Sequence, residues 1–149
     1  MGGGLHVVCT CCLRINRVPP NRRESKPRCG NCAARLLPDN AFSLDWPRFQ
    51  RVVEFTDLPV VACFIESDLP PGDAVAAAFE AAACELRAEA LLGYIVAEST
   101  TMLSGRRTPR IPTVVVYRQR REAGRARVGV DASGLKEWIA TSVRFEKVK

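Results

Sequence analysis

The sequence lacks the features that would place a protein in a membrane. No segment approaches the ~18 consecutive apolar residues that a transmembrane helix requires. The first ten residues, MGGGLHVVCT, lack the basic and then apolar profile of a secretory signal. There is no low-complexity tract, and the composition is that of a globular protein. We therefore expect a cytoplasmic protein with no membrane partner.

Histidine and aromatic residues are scarce where two kinds of site would need them. His6 is the only histidine, and because it follows a glycine-rich end we do not expect it to bind a metal. No aromatic residue lies between Cys9 and Cys32, although residues 1–40 carry seven Arg or Lys against two acids. Modules that hold single-stranded nucleic acid usually stack its bases on aromatic rings. We therefore rank nucleic-acid binding below the functions that the cysteines and the larger domain indicate.

Cysteine, by contrast, is concentrated in one segment. Five of the seven cysteines fall in the first 32 residues, within CTCC (9–12) and CGNC (29–32). Two residues between cysteines let one tight turn direct both sulfurs at one ion, and two such turns complete a tetrahedron. We predict a zinc site held by Cys9, Cys12, Cys29 and Cys32, with disulfides or free thiols as the alternative. Gly30 is expected to ease the second turn by adopting a positive φ.

The predicted zinc site is structural rather than catalytic, because four protein ligands leave no open position for water. Cys11 is a fifth sulfur in the same segment. It could replace Cys9 or Cys12 only by shortening the first turn, so we expect it beside the site and unligated. It is also the candidate redox thiol of the chain.

Beyond residue 38 the pattern becomes that of an α/β domain. We therefore divide the chain into a zinc-ribbon module at 1–38 and a larger domain at 39–149. The apolar run PVVACFI (59–65) predicts a buried strand, and a long helix is expected over 74–90. Further strands are expected at 91–98, 111–118 and 126–131, with a short helix before the second of these and a closing helix at 134–143. This order predicts a central mixed sheet flanked by helices.

The same segments, in the same order, resemble a zinc-ribbon thioredoxin, the second thioredoxin type of many bacteria. VCTCCLRINRVP and CGNC are similar to that family's paired cysteine turns, and DLPVVACF to the strand before its active site. RIPTVVVY is similar to its cis-proline segment, and GLKEWI to its final helix. The resemblance implies a thioredoxin fold with an N-terminal four-cysteine zinc ribbon. It places the family's W-C-G-P-C motif over residues 68–72.

These residues lack the family's chemistry. Leu69 and Gly72 stand where the resemblance places the two catalytic cysteines, Asp68 replaces the tryptophan, and only Pro71 agrees. Cys63 stands at the position of the family's buried aspartate. Disulfide exchange needs a thiolate of lowered pKa and a second thiol that resolves the mixed disulfide, and leucine and glycine supply neither. We therefore lean towards a protein that is not an enzyme and has no catalytic residues.

A thioredoxin fold without its cysteines still implies a peptide groove. In the family, the backbone beside the cis-proline pairs with an extended segment of the substrate. The predicted function is a redox-inactive, chaperone-like or adaptor module that binds a protein or an extended peptide, unless Pro112 serves the fold geometry alone. The alternative is a thiol oxidoreductase or redox sensor that uses Cys11 and the ribbon thiolates. The residues expected to edge the groove are Asp68, Leu69, Pro70, Pro71, Ile111 and Pro112.

Overall fold

A computed structural model describes residues 4–65, 73–96, 113–127 and 134–144. These residues form seven strands, one short 3₁₀ helix and three α-helices. None of the helices in the described ranges is long and apolar enough to cross a membrane. In chain order the elements are β1 (Leu5–Val8), β2 (Ile15–Val18), the 3₁₀ helix (Pro20–Ser25), β3 (Phe42–Leu44), α1 (Trp46–Phe55), β4 (Val60–Ile65), α2 (Asp73–Glu85), β5 (Leu91–Val96), β6 (Thr113–Arg118), β7 (Arg121–Arg127) and α3 (Leu135–Arg144).

The centre of the fold is a mixed five-stranded sheet in the order β3-β5-β4-β6-β7. The strands β3, β4 and β5 are parallel, whereas β6 and β7 run antiparallel to their neighbours. The central strand β4 is buried on both faces, from Val60 to Phe64, as its continuous apolar run predicts. A separate antiparallel pair, β1 and β2, carries the N-terminal segment.

Two hydrophobic clusters cover the two faces of this sheet. The first lies under α1 and includes Phe49 and Val52, and the second lies under α2 and α3 and includes Phe79 and Ile139. Apolar residues of the N-terminal segment are fully part of the first cluster. These residues are Val7, Val8, Val18, Leu36 and Leu37. The cysteine-bearing segment and the α1 face of the sheet therefore share one core.

The start and end of α1 follow from its flanking residues. The carboxylate of Asp45 accepts the N–H of Arg48 at 3.1 Å, and Pro47 occupies the first turn, where its missing N–H costs nothing. At the other end, the N–H of Thr56 donates to the carbonyl of Val52 at 3.1 Å, while the Thr56 backbone itself is extended. The helix spans 46–55, the segment in which the sequence shows apolar residues at helical spacing.

Two elements differ from the sequence-based expectation. The helix α2 ends at Glu85 rather than at residue 90, and the carbonyl of Ala88 in the following turn accepts the side chain of Arg23 at 3.1 Å. The strand β7 begins at Arg121 rather than at residue 126, and residues 128–131 of the expected strand lie outside the described residues. It follows β6 through a two-residue turn in which Gln119 and Arg120 both have positive φ, 52° and 71°. Neither turn residue is a glycine, asparagine or aspartate, so the hairpin signal is absent from the sequence. The expected short helix before β6 lies outside the described residues.

Candidate metal centre

The two cysteine turns have the same backbone geometry. In each turn, the N–H of the first cysteine donates to the carbonyl five residues ahead, and the N–H of the residue four ahead donates back to the cysteine carbonyl. The first turn has Cys9 to Arg14 at 2.9 Å and Leu13 to Cys9 at 2.8 Å, and the second has Cys29 to Ala34 at 2.8 Å and Ala33 to Cys29 at 2.9 Å. The chain thus builds one sulfur-presenting turn twice, which is what a single shared ion requires.

The left-handed residue of each turn comes after the second cysteine, not between the cysteines. Leu13 and Ala33 both have φ of 67°. The expectation for Gly30 is therefore wrong, since Gly30 is not among the residues of positive φ. Thr10 stands at the corresponding place in the first turn, so the position needs no glycine. The N–H of Gly30 instead donates to the side-chain oxygen of Asn16 at 2.9 Å.

The two turns bring four sulfur atoms together. The Sγ atoms of Cys9 and Cys32 are 3.6 Å apart, as are those of Cys12 and Cys29, and all four lie within 4.8 Å of one another. A tetrahedron with metal–sulfur distances of about 2.3 Å has sulfur–sulfur edges of about 3.8 Å. The four sulfurs are therefore positioned to bind one metal ion.

Backbone and amide N–H groups point at these sulfurs. The N–H groups of Cys11 and Cys12 lie 3.3 and 3.5 Å from Cys9 Sγ, and the N–H of Asn31 lies 3.3 Å from Cys29 Sγ. The side-chain amides of Asn16 and Asn31 lie 3.4 Å from the sulfurs of Cys29 and Cys12. Such donors stabilise negative charge on sulfur. Neither asparagine was predicted from the sequence, although Asn31 lies inside the CGNC turn.

The thiols do not ionise alike in the absence of a cation. The backbone N–H of Cys32, together with the Asn16 amide, lowers the pKa of Cys29 to about 6. For Cys32, the N–H of Ala34 lowers the pKa, but partial desolvation of the sulfur and the neighbouring thiols outweigh it and raise the value to about 12. Thiolates this close repel one another, so the full set of four negative charges needs a cation between them.

The cluster is held against the core on one side and open on the other. Cys9 and Cys29 are buried with the α1-side cluster, while Cys32 is exposed. The side chain of Arg51 on α1 donates to the carbonyl of Leu13 at 2.8 Å, which ties the helix to the first cysteine turn. The cysteine turns are thus continuous with the core on the α1 side of the sheet.

The remaining histidine and cysteines are separate from this cluster. His6 pairs with Asp57 (Nδ1 to Oδ2, 3.3 Å). Cys11 is exposed and contributes only its N–H to Cys9. Cys63 is fully buried, and burial raises its pKa to about 12. Cys84 is exposed on α2.

The expected peptide groove lies outside the described residues, because Asp68, Leu69, Pro70, Pro71, Ile111 and Pro112 all fall in 66–72 or 97–112. A different depression, which was not predicted from the sequence, lies beside α1 and has a volume of about 330 Å³. Its base is aromatic, with the rings of Phe49 and Tyr117 5.5 Å apart. Its rim carries Glu54 and Arg120, and the side chain of Arg120 donates to the Glu54 carbonyl at 2.8 Å.

Comparisons with known proteins agree with this architecture. No protein-family profile matches the chain. Thioredoxin C-3 of Corynebacterium nephridii is 28% identical over 134 residues, which cover 89% of this chain and 92% of that protein. A mutant thioredoxin from Halobacterium salinarum superposes with a TM-score of 0.57 at 20% identity over 72% of this chain and 94% of its own. Spinach chloroplast thioredoxin f (long form) superposes with a TM-score of 0.56 at 21% identity, over 71% of this chain and 88% of its own. The predicted thioredoxin fold is confirmed.

Proposed function

We propose that this thioredoxin-like protein is a chaperone-like or adaptor module that binds peptides, carries a structural zinc ion and has no dithiol–disulfide exchange activity. Its thioredoxin fold and its thioredoxin relatives support the proposal. The observation that carries the proposal is the connection between β4 and α2. The resemblance to thioredoxins places that family's two reactive cysteines in this connection. In this chain β4 ends at Ile65, α2 begins at Asp73, and the connecting residues ESDLPPG contain no thiol.

The other thiols of the thioredoxin-like part are poorly suited to replace those cysteines. Cys63 is fully buried, and its raised pKa keeps the thiol protonated near neutrality, whereas the thiolate is the reactive form. Cys84 lies eleven residues beyond Asp73 on α2. At 1.5 Å per residue this is about 16 Å from the start of the helix. Neither thiol can serve a disulfide bound at the β4–α2 connection.

Zinc is the metal that best fits the sulfur cluster. Its borderline-soft character suits four thiolates, and its structural sites are closed and tetrahedral. The sulfur spacing and the N–H groups directed at sulfur support this choice. Cys9, Cys12, Cys29 and Cys32 would hold the ion, which would neutralise part of their charge and fix the two turns. A cytoplasmic location is part of the proposal, since all seven cysteines are unpaired and such thiols persist in a reducing compartment.

The proposed peptide site is the one that the thioredoxin resemblance implies. The residues expected to edge it follow the end of β4 or precede the start of β6 in the chain. They are Asp68, Leu69, Pro70, Pro71, Ile111 and Pro112. An extended partner would bind there through main-chain hydrogen bonds, for which no cysteine is needed. Loss of the thiols would therefore remove the reaction and leave the binding.

Reduction of a disulfide substrate with dithiothreitol as electron source tests the absence of exchange activity. We expect the protein to add nothing to the rate of dithiothreitol alone. The double variant Leu69→Cys/Gly72→Cys, which restores two thiols at the β4–α2 connection, should accelerate the reaction. Turnover by the unmodified protein would contradict the proposal.

The same assay separates the alternative function, a thiol oxidoreductase or redox sensor. Cys11 is exposed and its N–H contacts Cys9 Sγ, so oxidation of Cys11 would act beside a metal ligand. If the unmodified protein turns over and Cys11→Ser abolishes that turnover, the alternative replaces the proposal.

Metal analysis of the purified protein tests the zinc site. We expect about one zinc per chain, and Cys29→Ser should reduce the content to near zero because three thiolates bind structural zinc much more weakly than four. Cys84→Ser is the matched control, since Cys84 lies outside the cluster. Full zinc content in Cys29→Ser, or another metal in its place, would refute the assignment.

Binding of an unfolded, carboxymethylated protein tests the peptide site without any thiol chemistry. Leu69→Asp should weaken binding at least about tenfold by placing a charge at the groove. Ala77→Asp on the exposed face of α2 makes the same charge change elsewhere and should leave the affinity unchanged. Equal loss in both variants would show that only net charge matters.

A further inference from the structure

The sheet ends in an arginine-rich strand that the proposed function does not use. The strand β7 is last in the strand order, and among the described residues only β6 pairs with it. The hairpin 118–127 contains five arginines and one acidic residue, Glu122. An edge strand presents backbone N–H and C=O groups to which another extended chain can add.

The two faces of β7 offer different side chains. Arg125 pairs with Val115, which belongs to the α1-side cluster, so Arg125 lies on that face of the sheet. Gly124 pairs with Val116 and lies on the opposite face, below α3. The ring of Trp138 occupies the space there, 3.6 Å from where a Cβ on Gly124 would be. A strand added to β7 would meet a cation on one face and a half-buried indole on the other.

The acidic residue of the hairpin is already engaged. Glu122 accepts two N–H groups of Arg125, each at 2.9 Å, which ties its charge to that guanidinium. A guanidinium has five N–H donors, and this pair involves two of them. The register shifts at Ala123, so the regular ladder that a partner would extend runs from Gly124 to Arg127.

We propose that β7 is a docking edge for an extended acidic segment of another protein, one in which acidic and apolar residues alternate. The alternation matches the faces of the edge, with carboxylates towards Arg125 and apolar side chains towards Trp138. A second copy of this chain is a poor partner, because pairing two β7 strands would juxtapose arginines. The proposal does not depend on the groove at residues 68–71.

A peptide is a better match than a nucleic acid. The edge supplies main-chain hydrogen-bonding groups, which extended peptides complete and nucleic acids do not. Nucleic-acid binding would instead need several exposed rings for base stacking. Among the residues that the structure describes, Trp138 is the single aromatic side chain within 4 Å of the Gly124 position, and it is half-buried.

Fluorescence anisotropy with a labelled peptide of about eight residues, long enough to form one strand, tests the proposal. The probe alternates glutamate and valine, and the protein is the full zinc-loaded chain. We expect this peptide to bind. A version N-methylated on alternate residues should not bind, because it keeps the charge but cannot complete the ladder. An alternating lysine–valine peptide should not bind either. Equal binding of the N-methylated peptide, or tighter binding of a single-stranded oligonucleotide, would overturn the proposal, as would no binding of the first peptide.

Substitutions locate the site. Arg121→Glu/Arg125→Glu should weaken binding of the peptide at least about tenfold, because attraction to its carboxylates is lost and repulsion is added. The matched control Arg17→Glu/Arg22→Glu makes the same charge change at exposed ribbon positions and should leave affinity within about twofold. Arg125→Gln alone serves if the double variant unfolds, because Arg125 is the cation that faces the added strand. A similar loss in the control, or none at β7, would overturn the assignment.

Discussion

Seven thiols occupy three environments in this protein, and the environment decides what each can do. The sulfurs of the four clustered cysteines approach one another closely enough to share one ion. Cys63 is surrounded by apolar side chains of the α2–α3 face and behaves as a small hydrophobic residue. Cys11 and Cys84 are exposed. In the zinc-loaded protein, alkylating agents should therefore react with Cys11 and Cys84 and not with the four metal-binding thiols or Cys63.

The buried thiol of Cys63 should make the protein less stable in alkaline solution. Burial raises its pKa from the ordinary 9.0 to about 12. Below pH 9 both folded and unfolded chains keep this proton, so the stabilising contribution is fully present. As the pH rises from 9 towards 12, only the unfolded chain releases the proton, and the free energy of unfolding falls by about 1.4 kcal/mol per pH unit.

Urea unfolding of the wild type and Cys63→Ala at pH 8 and pH 10 measures this effect. The stability of the wild type relative to the variant should fall by about 1 kcal/mol between the two conditions. Burial, Glu80 and Cys63 raise the pKa of Tyr94. Burial and Glu80, the two larger causes, are present in both proteins, so most of the Tyr94 contribution cancels from the comparison. Cys84→Ala, which removes an exposed thiol of α2, is the control. A constant difference between wild type and Cys63→Ala would show that this thiol does not control the alkaline response.

At the scale of the secondary-structure elements, the contact of β1 with the end of α1 joins the ribbon to the sheet. The N–H of Val8 donates to the side-chain oxygen of buried Thr56 at 3.1 Å. His6 and Asp57 exchange two further bonds, His6 N–H to the Asp57 carboxylate and Asp57 N–H to the His6 carbonyl, both 2.8 Å. One main-chain and two side-chain hydrogen bonds thus hold the residues after α1 against β1.

Replacing Thr56 should loosen this contact. Thr56→Val keeps the shape of the side chain but removes the acceptor of the buried Val8 N–H, which should lower the free energy of unfolding by about 1–3 kcal/mol. Thr56→Ser keeps the acceptor, so its free energy of unfolding should fall by less. Denaturant unfolding of the three zinc-loaded proteins gives the measurement. Equal losses in both variants would mean that the threonine methyl, rather than the hydrogen bond, stabilises the contact.

At the scale of the whole molecule, metal binding and folding of the sheet should be coupled. Cys9 and Cys29 belong to the same buried cluster as Phe49 of α1 and Phe64 of β4. A change in the cysteine turns therefore reaches the centre of the fold through direct packing. The ribbon alone is too small to build a separate core, which is why its valines and leucines are buried against α1.

Removal of the metal should lower the stability of the entire chain. Chelation should reduce the free energy of unfolding by about 4 kcal/mol if free zinc had stood at about a thousand times its dissociation constant. The probe is the fluorescence of Trp138 in a Trp46→Phe background, because Trp138 packs in the α2–α3 cluster and not in the cluster that contains Cys9 and Cys29. A midpoint of Trp138 unfolding that does not move on chelation would show that the ribbon folds independently.

Much of this fold could be predicted from periodicity and spacing. Continuous apolar runs identified β4, β5 and β6, since strands buried on both faces need no polar residues. The range of α1 agrees with the apolar residues at helical spacing over 46–55 and with Pro47 in the first turn, whereas the cap by Asp45 was not predicted. The start of β7 was misplaced because an edge strand can be as charged as a loop, and its pairing with β6 is what defines it. The N-terminal pair β1 and β2 was not predicted, since four-residue strands carry little pattern of their own.

The sequence by itself determined which reactive groups this protein carries. It has two CxxC turns that can bind one ion, and its β4–α2 connection contains no thiol. Spacing along the chain is sufficient there, because each turn is local. Only the tertiary structure decided which residues surround those groups. Asn16 reaches Cys29, Arg51 reaches the first cysteine turn, and Gly93 must lack a side chain because a Cβ there would lie 2.2 Å from the ring of Phe42. These contacts join residues that are distant in the chain, and packing alone brings them together.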